Sequence, residues 1–152
     1  MTAVDIRLDH LAVAARHAAV PALWPVAPRF SAGDRWYHRI AAEADHEVWL
    51  LTWLPGQGTD LHDHGGSAGA FTVLSGSLVE EVPSGGSLRL RLLVPGQVRG
   101  FGPRHIHRVV NRGPVAAISV HVYGPALKAM NTYLLGPEGP RRVAMSRAGA
   151  DW

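Results

Sequence analysis

The rhythm of hydrophobic and polar positions changes near residue 35 of this chain. Before that point Ile6, Leu8, Leu11, Val13 and Val20 recur among alanines, and Asp5 or Asp9 suits the first turn of a helix. The spacing predicts a helix over 4–20. Pro21, Pro25 and Pro28 predict its end and an irregular connection, because proline cannot donate to the helical ladder and clashes with the preceding turn. From residue 35 the grammar is that of strands. Runs of β-branched and aromatic residues over 35–42, 46–54, 61–64, 70–82, 87–94, 107–111 and 115–123 alternate with Gly/Pro punctuation. Strands at such spacing predict an antiparallel sandwich or barrel. Pro55-Gly56 closes one strand, and Pro83-Ser84-Gly85-Gly86 marks a hairpin turn.

Length and composition fit this reading. A chain of 152 residues, 47% hydrophobic and 18% charged, with 17 glycines and 11 prolines, suits one turn-rich domain able to bury a core. The expectation is a single domain over 1–152: an N-terminal helical buttress over 1–33, a barrel core over 34–125 and a C-terminal extension over 126–152. The absence of cysteine excludes disulfides and thiolate metal sites. The start MTAVDIRLDH has acids where a secretory signal needs basic and then apolar residues, and no apolar run reaches a membrane span. A cytoplasmic monomer is the expectation. The formal charge of +3 comes from arginines and a single lysine, Lys128. The arginines are scattered without interleaved aromatics, so no nucleic-acid surface is expected.

Three groups of residues carry candidate chemistry. His62 and His64 lie one residue apart between glycine turns; on an extended strand their imidazoles share a face, and neutral imidazole is the commonest metal ligand. Ser119, His121 and Tyr123 alternate along a predicted strand, a row that can chain hydrogen bonds toward a metal. Tyr37 and Arg39 form another i, i+2 pair, and an inward arginine beside a metal suits a forked clamp on a substrate carboxylate.

Gly56, five residues, His62-x-His64 and then Gly76 resemble the first motif of the cupin superfamily, with Gly69 where that pattern places a glutamate ligand. His107-Arg-Val-Val-Asn111 resembles the end of the second cupin motif, whose upstream part is degenerate here. The resemblance implies a small antiparallel, jelly-roll-like β-barrel with His62, His64 and His107 as metal ligands. His105 shares a strand face with His107 if that strand is regular, and the HRVVN string favours His107. A third neutral imidazole in place of the carboxylate leaves a ferrous ion with more uncompensated charge, which favours an anionic substrate ligand such as a thiolate. Zinc with three histidines, activating water, is the other chemical option.

Taken together, YxR, HDH without the cupin glutamate, HRVVN and SxHxY, in that order across about 35–125, resemble the thiol dioxygenases, specifically cysteine dioxygenase. The resemblance implies Fe(II), L-cysteine and dioxygen as partners, and cysteine sulfinate as product. It implies Arg39 on the substrate carboxylate with Tyr37 in support, and Tyr123 near substrate and dioxygen, oriented by His121 and Ser119. Some members crosslink the matching tyrosine to a cysteine; Gly69 stands there in this chain. A dioxygenase for another small thiol acid, such as 3-mercaptopropionate, is the near alternative, and a non-catalytic metal-binding cupin sensor the distant one.

Overall fold

A computed structural model describes residues 3–148. It opens with helix α1 (Ala3–Ala19), which gives way to a 3-10 turn at Pro21–Leu23. The indole N–H of Trp24 donates to the His17 carbonyl at 3.0 Å, meeting an acceptor that the end of the helix leaves unpaired. Eleven strands follow: β1 (Tyr37–Ala42), β2 (Glu47–Trp53), β3 (Leu61–His62), β4 (Ala68–Ser75), β5 (Leu78–Ser84), β6 (Ser87–Leu93), β7 (Val98–Phe101), β8 (Arg108–Val110), β9 (Ala117–Gly124), β10 (Ala129–Gly136) and β11 (Gly139–Arg147). The chain is mainly β with an N-terminal helix, as its pattern predicts.

All strand pairs are antiparallel. They form a five-stranded sheet β1-β2-β9-β4-β7 and two three-stranded sheets, β11-β10-β3 and β6-β5-β8. The small sheets meet where His62 and His107 exchange two backbone hydrogen bonds, His62 N to His107 O at 2.9 Å and the reverse at 3.0 Å. That junction places two of the expected metal ligands side by side.

Period-two alternation on the large sheet divides its side chains between two cores. Val48 and Leu50 of β2, Ala70 of β4, and Val120 and Val122 of β9 pack against Val13 and Ala14 of α1. The intervening Leu51, Trp53, Phe71, Val73 and Tyr123 face the barrel interior with Leu78, Phe101 and Val109. Trp53 and Phe71 are fully buried there, and each large apolar side chain so placed contributes on the order of 1.5–3 kcal/mol. The helix therefore backs the sheet whose other face bears Ser119, His121 and Tyr123.

The continuous run predicted over 70–82 is two strands, broken at Gly76. Gly76 has φ +70°, and a Cβ there would strike the Ala116 carbonyl and Ala117, so only glycine makes this turn. Strand β7 has a glycine in its middle and escaped the pattern. Strands β10 and β11 did so because neither alternates cleanly between buried and exposed residues: β10 is half-buried almost throughout and β11 is largely exposed. They form a hairpin, and β10 pairs with the ligand strand itself, Thr132 opposite His62. Among the described residues no helix is long and apolar enough to cross a membrane.

Candidate metal centre and adjoining cavity

His62 ends β3, His64 follows in the turn that precedes β4, and His107 stands just before β8. One ring nitrogen from each lies within 4.8 Å of the others. The ring centroids form a nearly equilateral triangle, 4.9 Å for His62–His64, 4.8 Å for His62–His107 and 4.9 Å for His64–His107. His62 Nδ1 lies 2.8 Å from the Asp60 carbonyl, which only accepts, so Nδ1 carries the proton and Nε2 keeps its lone pair. His107 Nδ1 lies 2.8 Å from Glu80 Oε2, with the same consequence. His64 is different. It is 1% exposed, and neither ring nitrogen has a hydrogen-bond partner.

Unpartnered buried polar groups are rare in native proteins and call for an explanation. A metal ion accepting a nitrogen of His64 supplies one, so the three imidazoles fit such a group. Burial, with repulsion from His107, lowers His62 to about 3. Burial also holds His64 well below, and His107 below, the usual imidazole value. All three are therefore neutral near pH 7, and a cation does not have to displace a proton.

His105 does not join the triangle. Its Nε2 lies 3.0 Å from Glu80 Oε2, leaving His107 as the member of the pair turned toward His62 and His64. Gly69 cannot be replaced by a ligand residue, because a Cβ would run into the Val122 carbonyl and the Phe101 ring. Phe101 stacks on His64 instead, with centroids 4.6 Å apart. The chain holds no cysteine, so no thioether to Tyr123 can form.

Beside the histidines is a cavity of about 200 Å³, walled largely by Trp49, Leu51, Trp53, Val109, Leu127 and Met130, with His62, His107, His121 and Tyr123 at its polar end. This is smaller than the sites that take drug-sized ligands and suits a small metabolite. His121 and Tyr123 line it, and Ser119 continues their row behind His121. The Trp53 indole donates to Ser119 Oγ at 2.8 Å, and Ser119 Oγ lies 2.9 Å from His121 Nε2. An indole can only donate, and the serine proton has no other acceptor among these contacts. Ser119 therefore donates to Nε2 and leaves the His121 proton on Nδ1. That N–H points to Tyr123 Oη at 3.3 Å, so the phenol accepts from His121 and keeps its own proton for the cavity. Burial raises the Tyr123 phenol well above its ordinary value and holds His121 neutral.

The arginine placement departs from expectation. Arg39 shares the inward alternation with Tyr37 but lies two residues farther along β1, about 7 Å beyond it. There its side chain is 55% exposed and sits 3.5 Å from Glu47. Arg39 does not line the cavity, whereas Tyr37 does. The cavity guanidinium belongs to Arg35, two residues before Tyr37. It lies over the Trp53 ring at 4.4 Å, and its Nε and Nη1 are buried without a partner. Burial lowers its pKa, yet a guanidinium remains a cation in proteins. Alternation pairs Tyr37 with Arg39, but the arginine that reaches the cavity is Arg35, just before β1.

Glu80 was also missed. Adjacent strand residues face opposite ways, so Glu80 turns inward to His107 and Glu81 outward to Arg108 and Arg112. Nothing in the string LVEEV names those partners. Met130 and Ser146, from the C-terminal hairpin, complete the cavity wall. Asp63, between two of the histidines, holds that hairpin: it accepts from Asn131 N at 3.0 Å and from the Tyr133 hydroxyl at 2.8 Å.

Residues 3–134 match the family described as cysteine dioxygenase type I. The chain belongs to that family. This member also resembles solved structures of the same architecture. One is a Thermus thermophilus protein, 24% identical, covering 65% of this chain and 90% of that one, with a TM-score of 0.58. Another is a Klebsiella pneumoniae protein with a double-stranded β-helix domain, also 24% identical, covering 76% and 90%, with a TM-score of 0.58. A recombinant oxalate oxidase in complex with glycolate is 16% identical over 66% of this chain and 56% of that one, with a TM-score of 0.56. These likenesses show the cupin fold of this family member.

Proposed function

We propose that this protein is an iron-dependent thiol dioxygenase that converts L-cysteine and dioxygen to cysteine sulfinate and a proton. The observation that carries the reading is one cavity lined both by His62 and His107 of the three-histidine triangle and by Arg35, whose Nε and Nη1 are buried without a hydrogen-bond partner. Ferrous iron would sit on the three imidazoles, and a small thiol acid would bring its sulfur to that iron and its carboxylate to Arg35; the family membership favours cysteine.

His62, His64 and His107 would hold the iron. Bound there, ferrous iron supplies what the protein lacks, a redox centre through which electrons pass from a thiolate sulfur to dioxygen. Three neutral imidazoles leave its charge uncompensated, which favours the ionised thiol over the thiol. Arg35, stacked on Trp53, forks the substrate carboxylate and fixes the direction from which sulfur enters. The apolar walls from Trp49, Leu51 and Val109 exclude water. Tyr123, held from behind by Trp53, Ser119 and His121, offers its O–H to negative charge developing on oxygen. Overall the thiol gives up its proton, sulfur is oxidised, and both oxygen atoms end on sulfur.

A steady-state comparison of three thiols tests the substrate assignment. L-Cysteine should lead in kcat/KM, 3-mercaptopropionate should follow because it lacks the amine, and cysteamine, with no carboxylate for Arg35, should be last. A well-formed contact of this kind contributes roughly 1.5–3 kcal/mol, about ten- to a hundredfold. Arg35→Gln should lose that factor on the two acids and little on cysteamine, while Arg39→Gln should leave the order intact. If 3-mercaptopropionate outruns cysteine on the wild type, the thiol reading stands and the cysteine assignment falls.

A further inference from the structure

The three histidines differ in what lies behind them. His62 rests on a neutral carbonyl, His64 on nothing, and His107 on the carboxylate of Glu80. Glu80 is 1% exposed, and a carboxylate buried that deeply persists only where donors surround it. It has three. Arg99 Nε donates to Oε1 at 2.7 Å, while Oε2 accepts from His105 Nε2 at 3.0 Å and from His107 Nδ1 at 2.8 Å. One of these donors is a guanidinium, which compensates the carboxylate where solvent does not reach.

We propose that Glu80 is the positioning and charge-balancing residue of the metal centre, acting through His107. The inference rests on the metal reading above and deepens it. The cupin pattern places a glutamate ligand where this chain has Gly69, a position closed by the Val122 carbonyl and Phe101. The negative charge withheld there returns one ring farther out. The Glu80 carboxylate fixes the His107 proton on Nδ1, aims the Nε2 lone pair at the triangle and makes that nitrogen more electron-rich, as carboxylate–histidine–metal pairs do. His107 is thereby the strongest donor of the three. Arg99 tempers the effect by drawing charge to the other carboxylate oxygen. A purely structural reading makes Glu80 a strut between β5, β7 and the segment before β8, and the two readings predict different signs.

The test uses the full-length protein with Fe(II) under anaerobic conditions, measuring competition against a coloured chelator and the Fe(III)/Fe(II) midpoint potential without thiol. Glu80→Gln keeps size and a hydrogen-bond acceptor but loses the charge. It should weaken iron retention by about ten- to a hundredfold and raise the potential. Arg99→Met should lower the potential, and Glu80→Asp should stay nearer to wild type than Glu80→Gln. If Glu80→Gln does not fold, the aspartate and Arg99 variants still give the sign. Unchanged retention and potential in Glu80→Gln, or Glu80 and Arg99 variants shifting the potential in one direction, overturns the inference alone. A wild type that retains no metal overturns the metal reading and this inference with it.

Discussion

His64 and His121 are both buried, at 1% and 3% exposure, and their bonding is opposite. Both nitrogens of His121 are engaged, Nε2 by Ser119 and Nδ1 by Tyr123. Neither nitrogen of His64 is. The triangle to which His64 belongs is incomplete as protein alone, whereas the row to which His121 belongs is closed behind and open only at the phenol. On the function proposed above, equal burial serves two ends: the unsatisfied nitrogen of His64 takes a ligand, and the satisfied ring of His121 aims Tyr123.

The sharpest way to break this comparison is to remove its open member. His64→Ala should reduce iron retention by more than about a hundredfold, since losing a partner behind a ligand alone costs ten- to a hundredfold. Loss of the ligand should leave the circular dichroism of the β-barrel in place. Equal iron retention in wild type and His64→Ala, by elemental analysis after gel filtration, would remove His64 from the site.

Opening the closed member should do less. Tyr123→Phe removes the one proton the row presents, while His62 and His107 keep their partners and the triangle is untouched. Iron retention should match wild type and turnover should fall about two- to tenfold, the usual range for one neutral hydrogen bond. Dioxygen consumed per sulfinate formed should also rise. Unchanged rate and coupling would show that the row aims at nothing.

The smallest effect tests the outward partner of Glu80. Glu81 is covered by Arg108 and Arg112. Burial acts to raise its carboxyl, and the hydrogen bonds from those arginines outweigh it and depress the pKa. A depressed carboxylate stabilises the fold above the unfolded value of about 4.3, and that stability is lost as pH falls through the folded value. Wild-type stability to denaturant should therefore decline below about pH 4.3, and Glu81→Gln should decline less steeply. Parallel pH profiles would show that the arginines do not hold Glu81 ionised.

What the sequence revealed and what it concealed divide along the same physical line. Ser119, His121 and Tyr123 stand at spacings that strand alternation puts on one face of β9, so local geometry announces them, whereas β3 ends at His62 and His64 reaches the triangle from the segment beyond it. His107 was legible only through its likeness to a known motif, because its meeting with His62 is a cross-strand pair forty-odd residues away in sequence. Arg35 precedes β1, outside the alternation that pairs Tyr37 with Arg39, and only the folded chain brings it over Trp53. Glu80 looks like any strand acid until β5 is paired with β8. The β10–β11 hairpin was invisible as a cavity wall because its pairing with β3 is tertiary and its outward face shows no clean alternation. Local periodicity specifies faces; register and sheet closure choose the partners.

On the proposed function, the triangle and the Arg35 cavity together oxidise a thiol acid at sulfur. The most direct measurement supplies iron-loaded protein with L-cysteine under heavy-isotope dioxygen and weighs the product by mass spectrometry. The account predicts cysteine sulfinate carrying two heavy oxygen atoms, formed by wild type and lost in His64→Ala. Cystine as the sole product, or sulfinate whose oxygens come from water, would contradict it.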